Sequence, residues 1–161
     1  MKKSLIGIIM GSSSDSRIMH AAGEILDDFG ITHEDQIISA HRTPTRLDEY
    51  AKHAEKSGFK VIIAGAGMSA ALPGVIAAQT SLPVLGVPME NAKVASLDGI
   101  MSILQMPAGI PVGALAVGRA GAVNAALLAA AILALSDPLV AQALEKFRAD
   151  QAASVPIDPS D

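Results

Sequence analysis

Short apolar segments recur along this chain, and longer segments with apolar residues at helical spacing separate them. Leu5–Met10 and Val61–Ala64 contain no polar side chain. A strand without polar alternation is buried on both faces, as in a parallel sheet that helices cover on each side. The pattern predicts an α/β fold with three layers, in which the parallel sheet is doubly wound.

Clusters of Gly, Pro and Ser divide the chain into predicted elements. The predicted strands, each expected to be apolar, are Leu5–Met10, Thr32–Ser39, Val61–Ala64, Pro83–Val87 and Gly113–Val117. The predicted helices are Asp15–Phe29, Thr45–Ser57, Val75–Gln79, Leu97–Leu104, Ala122–Leu135 and Pro138–Arg148. The sequence contains no linker, so we expect a single α/β domain over residues 1–150 and a polar C-terminal tail over residues 151–161.

Composition excludes several classes of protein. The chain has 161 residues, of which 50% are apolar and 17% charged, which is the opposite of the disordered signature. The absence of Cys excludes a disulfide scaffold, and a net charge of −4 with 2% aromatic residues argues against a nucleic-acid binder. The most apolar stretch, Ala122–Leu135, is shorter than the roughly 20 residues that cross a bilayer. We therefore expect a cytoplasmic protein with no nucleic-acid or membrane partner.

The stretch Ala122–Leu135 is also apolar around nearly its whole circumference. Such a helix has no natural face for solvent. Either it is a central core helix, or neighbouring copies of the chain cover it. A domain of this size rarely encloses a helix completely, so we expect a C-terminal helix that packs on neighbouring subunits.

Three loops follow predicted strands at the carboxyl edge of the sheet, where doubly wound folds bind their ligands. The first loop, Gly11–Asp15, precedes a helix and offers backbone N–H groups and hydroxyls at the positive end of the helix dipole. Such a loop can bind an anion, whereas Asp15 would repel a phosphate and suits ribose hydroxyls or a helix cap. Ordinary helix capping is the alternative interpretation of the loop.

The second loop, Ser39–Pro44, places His41 and Arg42 side by side after a strand. Arg is a permanently charged fork for phosphate or carboxylate groups, and His exchanges protons near neutral pH. A structural His beside a surface Arg explains the pair equally well. The third loop, Ala64–Gly74, is rich in Gly, which indicates either a tight turn or a cradle for a ligand.

Other kinds of site find no support in the sequence. The chain lacks the Walker ending Gly-Lys-Ser/Thr and the G-x-G-x-x-G spacing of dinucleotide-binding folds. No His pair has metal-ligand spacing backed by a carboxylate, and neither a Cys nor a G-x-S-x-G elbow is present for covalent catalysis. We expect no metal and no cofactor.

Six groups of motifs occur in a fixed order over Ile6–Leu135: GSSSD, SAHRTP, IIAGAG with LPG, LPVLGVP, SILQMPAGIPVG and NAALLA. In these motifs the chain resembles the N5-carboxyaminoimidazole ribonucleotide mutases, the class I catalytic subunits of phosphoribosylaminoimidazole carboxylase in purine biosynthesis. SAHRTP and QMP-x-G-x-P-V are highly specific together. The resemblance implies a flavodoxin-like fold, a homo-octamer with active sites between subunits, and an isomerase that needs no cofactor.

The resemblance also implies roles for individual residues. The His of SAHRTP is the family's general acid and base, which here is His41. Ser12 and Asp15 of GSSSD should hold the phosphoribosyl part of the substrate, and Arg42 should pair with its phosphate. The other residues expected to contact the ribonucleotide are Ser39, Gly67, Ser69 and Leu72.

In the implied reaction, the carboxylate of N5-carboxyaminoimidazole ribonucleotide moves from the exocyclic nitrogen to a ring carbon, which gives 4-carboxy-5-aminoimidazole ribonucleotide. The His protonates the carbamate nitrogen, CO2 leaves and is recaptured by the ring carbon, and the same His removes the ring proton. Holding CO2 requires a dry pocket, for which the small apolar segment Ala66–Leu72 is suited.

The third loop departs from the family's usual GAGGAAHLPG. Met68 and Ser69 replace Gly and Ala, and Ala71 stands where a His is common. A sister class carboxylates aminoimidazole ribonucleotide directly with CO2, and that reaction is one alternative. A catalytically impaired nucleotide-binding homologue is another, since it would not need the missing His. Functional coupling to the synthetase that supplies the unstable carbamate also stays open.

Overall fold

The computed structural model of the chain describes residues 4–90 and 96–158. Its strands are β1 Ile6–Met10, β2 His33–Ile37, β3 Val61–Ala66, β4 Val84–Pro88 and β5 Gly113–Ala114. Its helices are α1 Ser16–Asp28, α2 Pro44–Ser57, α3 Ala71–Ala77, α4 Leu97–Leu104, α5 Gly118–Ala134 and α6 Pro138–Ala153, and the 3-10 turn Ser13–Asp15 precedes α1. None of the helices in these two ranges is long and apolar enough to cross a membrane.

The five strands form one parallel sheet in the order β2-β1-β3-β4-β5. This is the strand order of flavodoxin-like folds, so the predicted doubly wound α/β fold is confirmed. The direction of winding reverses between β1 and β3. The loops after these two strands lead to opposite faces of the sheet, and the crevice between them is where such folds bind ligands.

Helices cover both faces of the sheet. Ile6 and Ile8 are completely buried on the face that α1 and α5 cover, and Ile9 and Ile62 are completely buried on the face that α2 and α3 cover. Successive side chains of a strand point to opposite faces. A wholly apolar strand therefore contributes to both cores at once, which is why the apolar runs predicted three layers.

The edge strands correct the expectation that every strand is apolar and of ordinary length. β2, with the sequence HEDQI, is largely polar and lies at one edge of the sheet, whereas β1, β3 and β4 are buried along their whole length. β5 at the other edge has two residues instead of the predicted five of Gly113–Val117. An edge strand is exposed along one side, so no continuous apolar run marks it.

Several helices extend beyond their predicted ends. α3 begins at Ala71 rather than Val75, because Pro73 lies in its first turn, where the missing N–H is not needed. α5 begins at Gly118 rather than Ala122. α6 continues to Ala153, so the expected boundary between domain and tail at residue 150 falls inside this helix.

The Ala-rich helix α5 is a core helix on one side and an apolar surface on the other. Its small residues pack against α1 and α6 of the same chain, and α6 contributes Val140 to the core that they share. On the outer side, Leu128 is 41% exposed, and Leu135, which follows the helix, is 88% exposed. The C-terminal helix α6 thus packs on its own chain, and an apolar outer face is left on α5.

Candidate functional site

The first loop joins β1 to α1 through a tight turn. Ser12 Oγ accepts a hydrogen bond from the Ser14 N–H at 3.3 Å and so caps the 3-10 turn. Ser14 Oγ donates to Asp15 Oδ1 at 3.2 Å, and the Asp15 N–H donates to Ser12 O at 3.1 Å. The local bonds place Ser12 and Asp15, both predicted to contact the phosphoribosyl group, together at the carboxyl end of β1.

The second loop holds Arg42 at two points. Arg42 Nη2 donates to Gly11 O at 2.8 Å, and Arg42 Nε donates to Ser39 Oγ at 3.3 Å. Ser39 Oγ also accepts the backbone N–H of Arg42 at 3.2 Å. The guanidinium thereby joins the second loop to the first, and Ser39 orients the guanidinium.

Thr43 closes the turn that carries His41. Thr43 Oγ1 accepts a hydrogen bond from the Ser39 N–H at 2.9 Å and donates to Ser39 O at 3.0 Å. Pro44 then starts α2 at the position where a helix tolerates Pro best. His41 lies at the tip of this closed turn and is exposed. Its imidazole is therefore accessible to a ligand.

The third loop, between β3 and α3, is held through its backbone. Gly65 O accepts the Gly11 N–H at 3.2 Å, and Ala66 O accepts the Met89 N–H at 2.9 Å. A Cβ at Gly67 would lie 3.0 Å from Met89 Cβ, which is tighter than ordinary contact. The absence of a side chain at Gly67 allows the loop to pass close to the end of β4.

The side chains of the third loop divide into exposed and buried groups. Ser69 is exposed, and Met68 is 70% exposed with a φ of 55°, in the left-handed region. Leu72 is 2% exposed and packs in the core beneath the loop. In the free chain, Met68 and Ser69 are thus accessible to a ligand, whereas the side chain of Leu72 supports α3.

Asp15 and Arg42 give the site one carboxyl group and one permanent cation. Burial raises the pKa of Asp15 above its ordinary 3.8, and hydrogen bonds with Ser14 and Ser12 and the charge of Arg42 oppose this rise. A poorly solvated carboxylate gains from partners that donate hydrogen bonds, as ribose hydroxyls do. Within residues 4–90 and 96–158, no group of three or more His, Asp or Glu residues could hold a metal ion.

Two cavities border these elements differently. A cavity of about 450 Å³ adjoins the first loop beside α1, with Met10, Ser16 and Ile37 among its lining residues. A larger one, about 830 Å³, has Lys52 and Pro83 among its lining residues. None of the predicted site residues lines either cavity. Because Pro83 precedes β4, this larger cavity lies at the amino edge of the sheet, away from the three loops.

Sequence reasoning missed two features of the site. It gave Arg42 as a fork for phosphate or carboxylate groups and did not predict that Nη2 and Nε donate to Gly11 O and Ser39 Oγ within the chain. No sequence signal identifies the carbonyl that a guanidinium reaches, since the two loops become neighbours only through the strand order. It also missed the left-handed backbone of Met68, for which the Gly of the family's usual loop at that position was an available signal.

Comparison with known proteins decides the family. The family model described as AIR carboxylase matches residues 5–154, nearly the whole chain. The chain belongs to this family. The resemblance inferred from the motifs is thereby confirmed.

Relatives within the AIR carboxylase family are similar over their full length. The N5-carboxyaminoimidazole ribonucleotide mutase of Brucella melitensis is 57% identical over 155 residues, 96% of this chain and 96% of that protein. The protein of the same name from Pseudomonas aeruginosa is 52% identical over 96% of this chain and 95% of its own. A crystal structure of Treponema denticola PurE matches with a TM-score of 0.84 at 32% identity, over 93% of this chain and 92% of that one.

Proposed function

We propose that the chain is an N5-carboxyaminoimidazole ribonucleotide mutase, an isomerase of purine biosynthesis that works without a cofactor. The observation that carries the proposal is the 2.8 Å hydrogen bond from Arg42 Nη2 to Gly11 O. Through this bond the turn with His41 stands beside the first loop, at the edge where flavodoxin-like folds bind ligands. Two mutases that are 57% and 52% identical over 96% of the chain support the same reaction.

The phosphoribosyl group of the substrate is bound by the first two loops. Arg42 attracts the phosphate with its charge and with the N–H groups that Gly11 and Ser39 leave free. Ser12 contributes a hydroxyl, and Asp15 accepts hydrogen bonds from the ribose. With the phosphoribosyl group held there, the base extends toward His41 and the third loop.

His41 carries both proton transfers. The imidazolium donates a proton to the carbamate nitrogen, the N–C bond breaks with its electron pair going to nitrogen, and CO2 is released. Electrons of the ring carbon then form the new C–C bond to CO2, and the neutral imidazole removes the proton from that carbon. The proton returns to His41 and the carboxylate has changed position, so the cycle balances without any further reactant. Histidine is the side chain that most often serves as general acid and base.

Two alternative sets of substrates test the proposal. The purified protein is given the carbamate substrate, or instead aminoimidazole ribonucleotide with bicarbonate, and formation of the 4-carboxy product is followed. A mutase uses the carbamate far more efficiently. Turnover of aminoimidazole ribonucleotide with bicarbonate alone would assign direct carboxylation. Binding of the product without turnover of either the carbamate or aminoimidazole ribonucleotide would identify a nucleotide-binding homologue.

We further propose that the protein is a homo-octamer in which neighbouring copies complete the site. Apolar residues on the outer side of α5 and α6 support this, since Leu135 and Leu139 are 88% and 77% exposed. His41 and Arg42 are also exposed, so a single copy leaves the reaction open to water. Sedimentation velocity should give the mass of an octamer, and a stable monomer would contradict the proposal. The metabolic role proposed here favours a cytoplasmic location and functional coupling to the synthetase that supplies the carbamate.

A further inference from the structure

Met68 combines a left-handed backbone with an exposed apolar side chain. Its φ of 55° costs free energy for a residue with a Cβ but not for Gly. Its side chain is 70% exposed, so little burial within the chain offsets this cost. Ser96 is the other non-Gly residue with positive φ in the described part of the chain, and it is only 6% exposed.

Packing of the loop backbone explains the positive φ but not the methionine. Met68 O accepts the Ala70 N–H at 2.8 Å. Gly99 of α4 lies against the same stretch, since a Cβ on Gly99 would be 3.8 Å from Gly67 Cα and 3.9 Å from Met68 O. These contacts involve the loop backbone, and Gly at position 68 would satisfy them with less strain.

Met68 also lies beside the candidate site. It follows the end of β3 by two residues, and Gly65 of that strand accepts the Gly11 N–H at 3.2 Å. Gly11 O in turn accepts the hydrogen bond from Arg42. One continuous set of hydrogen bonds therefore links the strand that presents Met68 to the loops proposed to hold the ribonucleotide.

We infer that the Met68 side chain closes over the base of the bound ribonucleotide and keeps water away from the CO2 formed there. The inference rests on the proposed function. A thioether makes favourable contacts with aromatic rings, and its unbranched chain adapts to a base whose substituents change during turnover. His41 is exposed in the free chain, so an apolar cover from the third loop would supply the dryness that recapture of CO2 requires.

The ratio of recaptured to lost CO2 measures this role. The full-length protein is given the carbamate, and the 4-carboxy product and the decarboxylated aminoimidazole ribonucleotide are both quantified, with spontaneous decarboxylation subtracted. Met68→Leu stays apolar and should keep the wild-type ratio. Met68→Gln has the same length but is polar, and it should release several-fold more decarboxylated product per turnover, as should Met68→Gly. Met101→Gln changes another exposed methionine, 46% exposed on α4, and should leave the ratio unchanged.

The outcomes separate this inference from the proposed function. Equal ratios in all Met68 variants would reject the cover and leave the mutase intact, whereas a wild-type protein that does not convert the carbamate would reject both. If Met68→Gln dissociates the assembly and the ratio follows dissociation, Met68 is a contact between copies and the inference is wrong. Met68→Gly relieves the strained φ, so its unfolding temperature should not fall, and a changed ratio in this variant is not a folding defect.

Discussion

The second and third loops of the candidate site are held by opposite means. In the second loop side chains make the bonds, since Thr43 Oγ1 closes the turn and Arg42 reaches Gly11 O at 2.8 Å. In the third loop the backbone makes the contacts, since Gly67 passes Met89 so closely that a Cβ would lie 3.0 Å from Met89 Cβ. The second loop is therefore fixed by the identity of its polar residues, and the third by backbone hydrogen bonds and by the missing side chain at Gly67.

This difference determines which side chains each loop can exchange. A loop fixed by its own polar side chains cannot exchange them without losing the positions of its charged groups. A loop fixed through its backbone can change its exposed side chains and keep its path. The contrast explains how SAHRTP matches the family throughout while Met68 and Ala71 depart from the usual third loop. Substitutions in the second loop should reduce catalysis, and substitutions on the packed side of the third loop should reduce stability.

His41→Asn should have the largest effect. General acid–base catalysis contributes roughly 10²–10⁴-fold to a rate, and the proposed cycle uses His41 in two proton transfers, so turnover should fall at least that far. His41 is exposed, so thermal unfolding should be unchanged. His53→Asn, on the exposed side of α2, is the matched control and should retain activity. A His41→Asn variant that still turns over would show that the second loop is not the catalytic one.

Arg42→Lys should have the next largest effect, because it keeps the charge but loses the fork that contacts Gly11 O and a phosphate together. Loss of one charge-assisted hydrogen bond corresponds to a roughly 10- to 100-fold rise in KM. The control is Arg46→Lys, in the first turn of α2, whose Nη1 donates to Ile37 O at 3.3 Å. Steady-state kinetics should give a raised KM for Arg42→Lys only. Equal rises in KM for the two variants would mean that Arg42 contributes only to the positive charge near the start of α2 and makes no specific contact with the phosphate.

The same contrast explains how far the sequence could predict the site. Residue type and a position after a strand made His41 and Arg42 candidates, and the resemblance assigned their expected roles. The composition of the third loop indicated only that it is Gly-rich, and Gly67, Ser69 and Leu72 were predicted from the resemblance. Which of its side chains are buried, as Leu72 is, depends on where α3 packs, and its composition carries no signal for that.

The fold likewise contains strands that the apolar pattern of the sequence predicts and features that no local pattern predicts. β1, β3 and β4 were predicted because a strand buried on both faces must be apolar throughout. β2 was expected to be apolar and is polar, since one of its sides borders no further strand. The contact between Arg42 and Gly11 O joins loops that only the completed sheet brings together, so no local pattern could predict it.

Ala substitutions at two glycines test the contrast between side-chain and backbone anchoring directly. A Cβ at Gly67 would meet Met89 Cβ at 3.0 Å, so Gly67→Ala should lower the free energy of unfolding by about 1–3 kcal/mol. At Gly11 the nearest atom is Asp15 Oδ2 at 3.8 Å, an ordinary contact, so Gly11→Ala should leave stability within about 0.5 kcal/mol. Urea unfolding measures both.

For substrate binding the order of the two glycine variants should be the reverse of the order for stability, with the larger effect in Gly11→Ala. A methyl group at Gly11 would lie 3.8 Å from Asp15 Oδ2, in the loop proposed to bind the phosphoribosyl group, so Gly11→Ala should raise KM although it folds normally. If Gly11→Ala is the less stable variant, or if KM does not change, then the first loop is anchored like the third and does not receive the phosphate.

Asp15→Asn should have the smallest effect on stability, and the size of this effect depends on pH. Because burial raises the pKa of Asp15 above 3.8, the folded chain binds this proton more tightly than the unfolded chain. Ionising Asp15 therefore disfavours folding, by an amount that is absent below pH 3.8 and fully present above the raised pKa. Asp15→Asn removes this cost, so the variant should be as stable as the wild type or more stable at neutral pH, and its advantage should vanish as the pH falls through that window. Unfolding temperatures measured from pH 3 to pH 7 test this. A variant that is instead less stable at neutral pH would show that the ionised carboxylate fixes the first loop as Arg42 fixes the second, through its side-chain bonds.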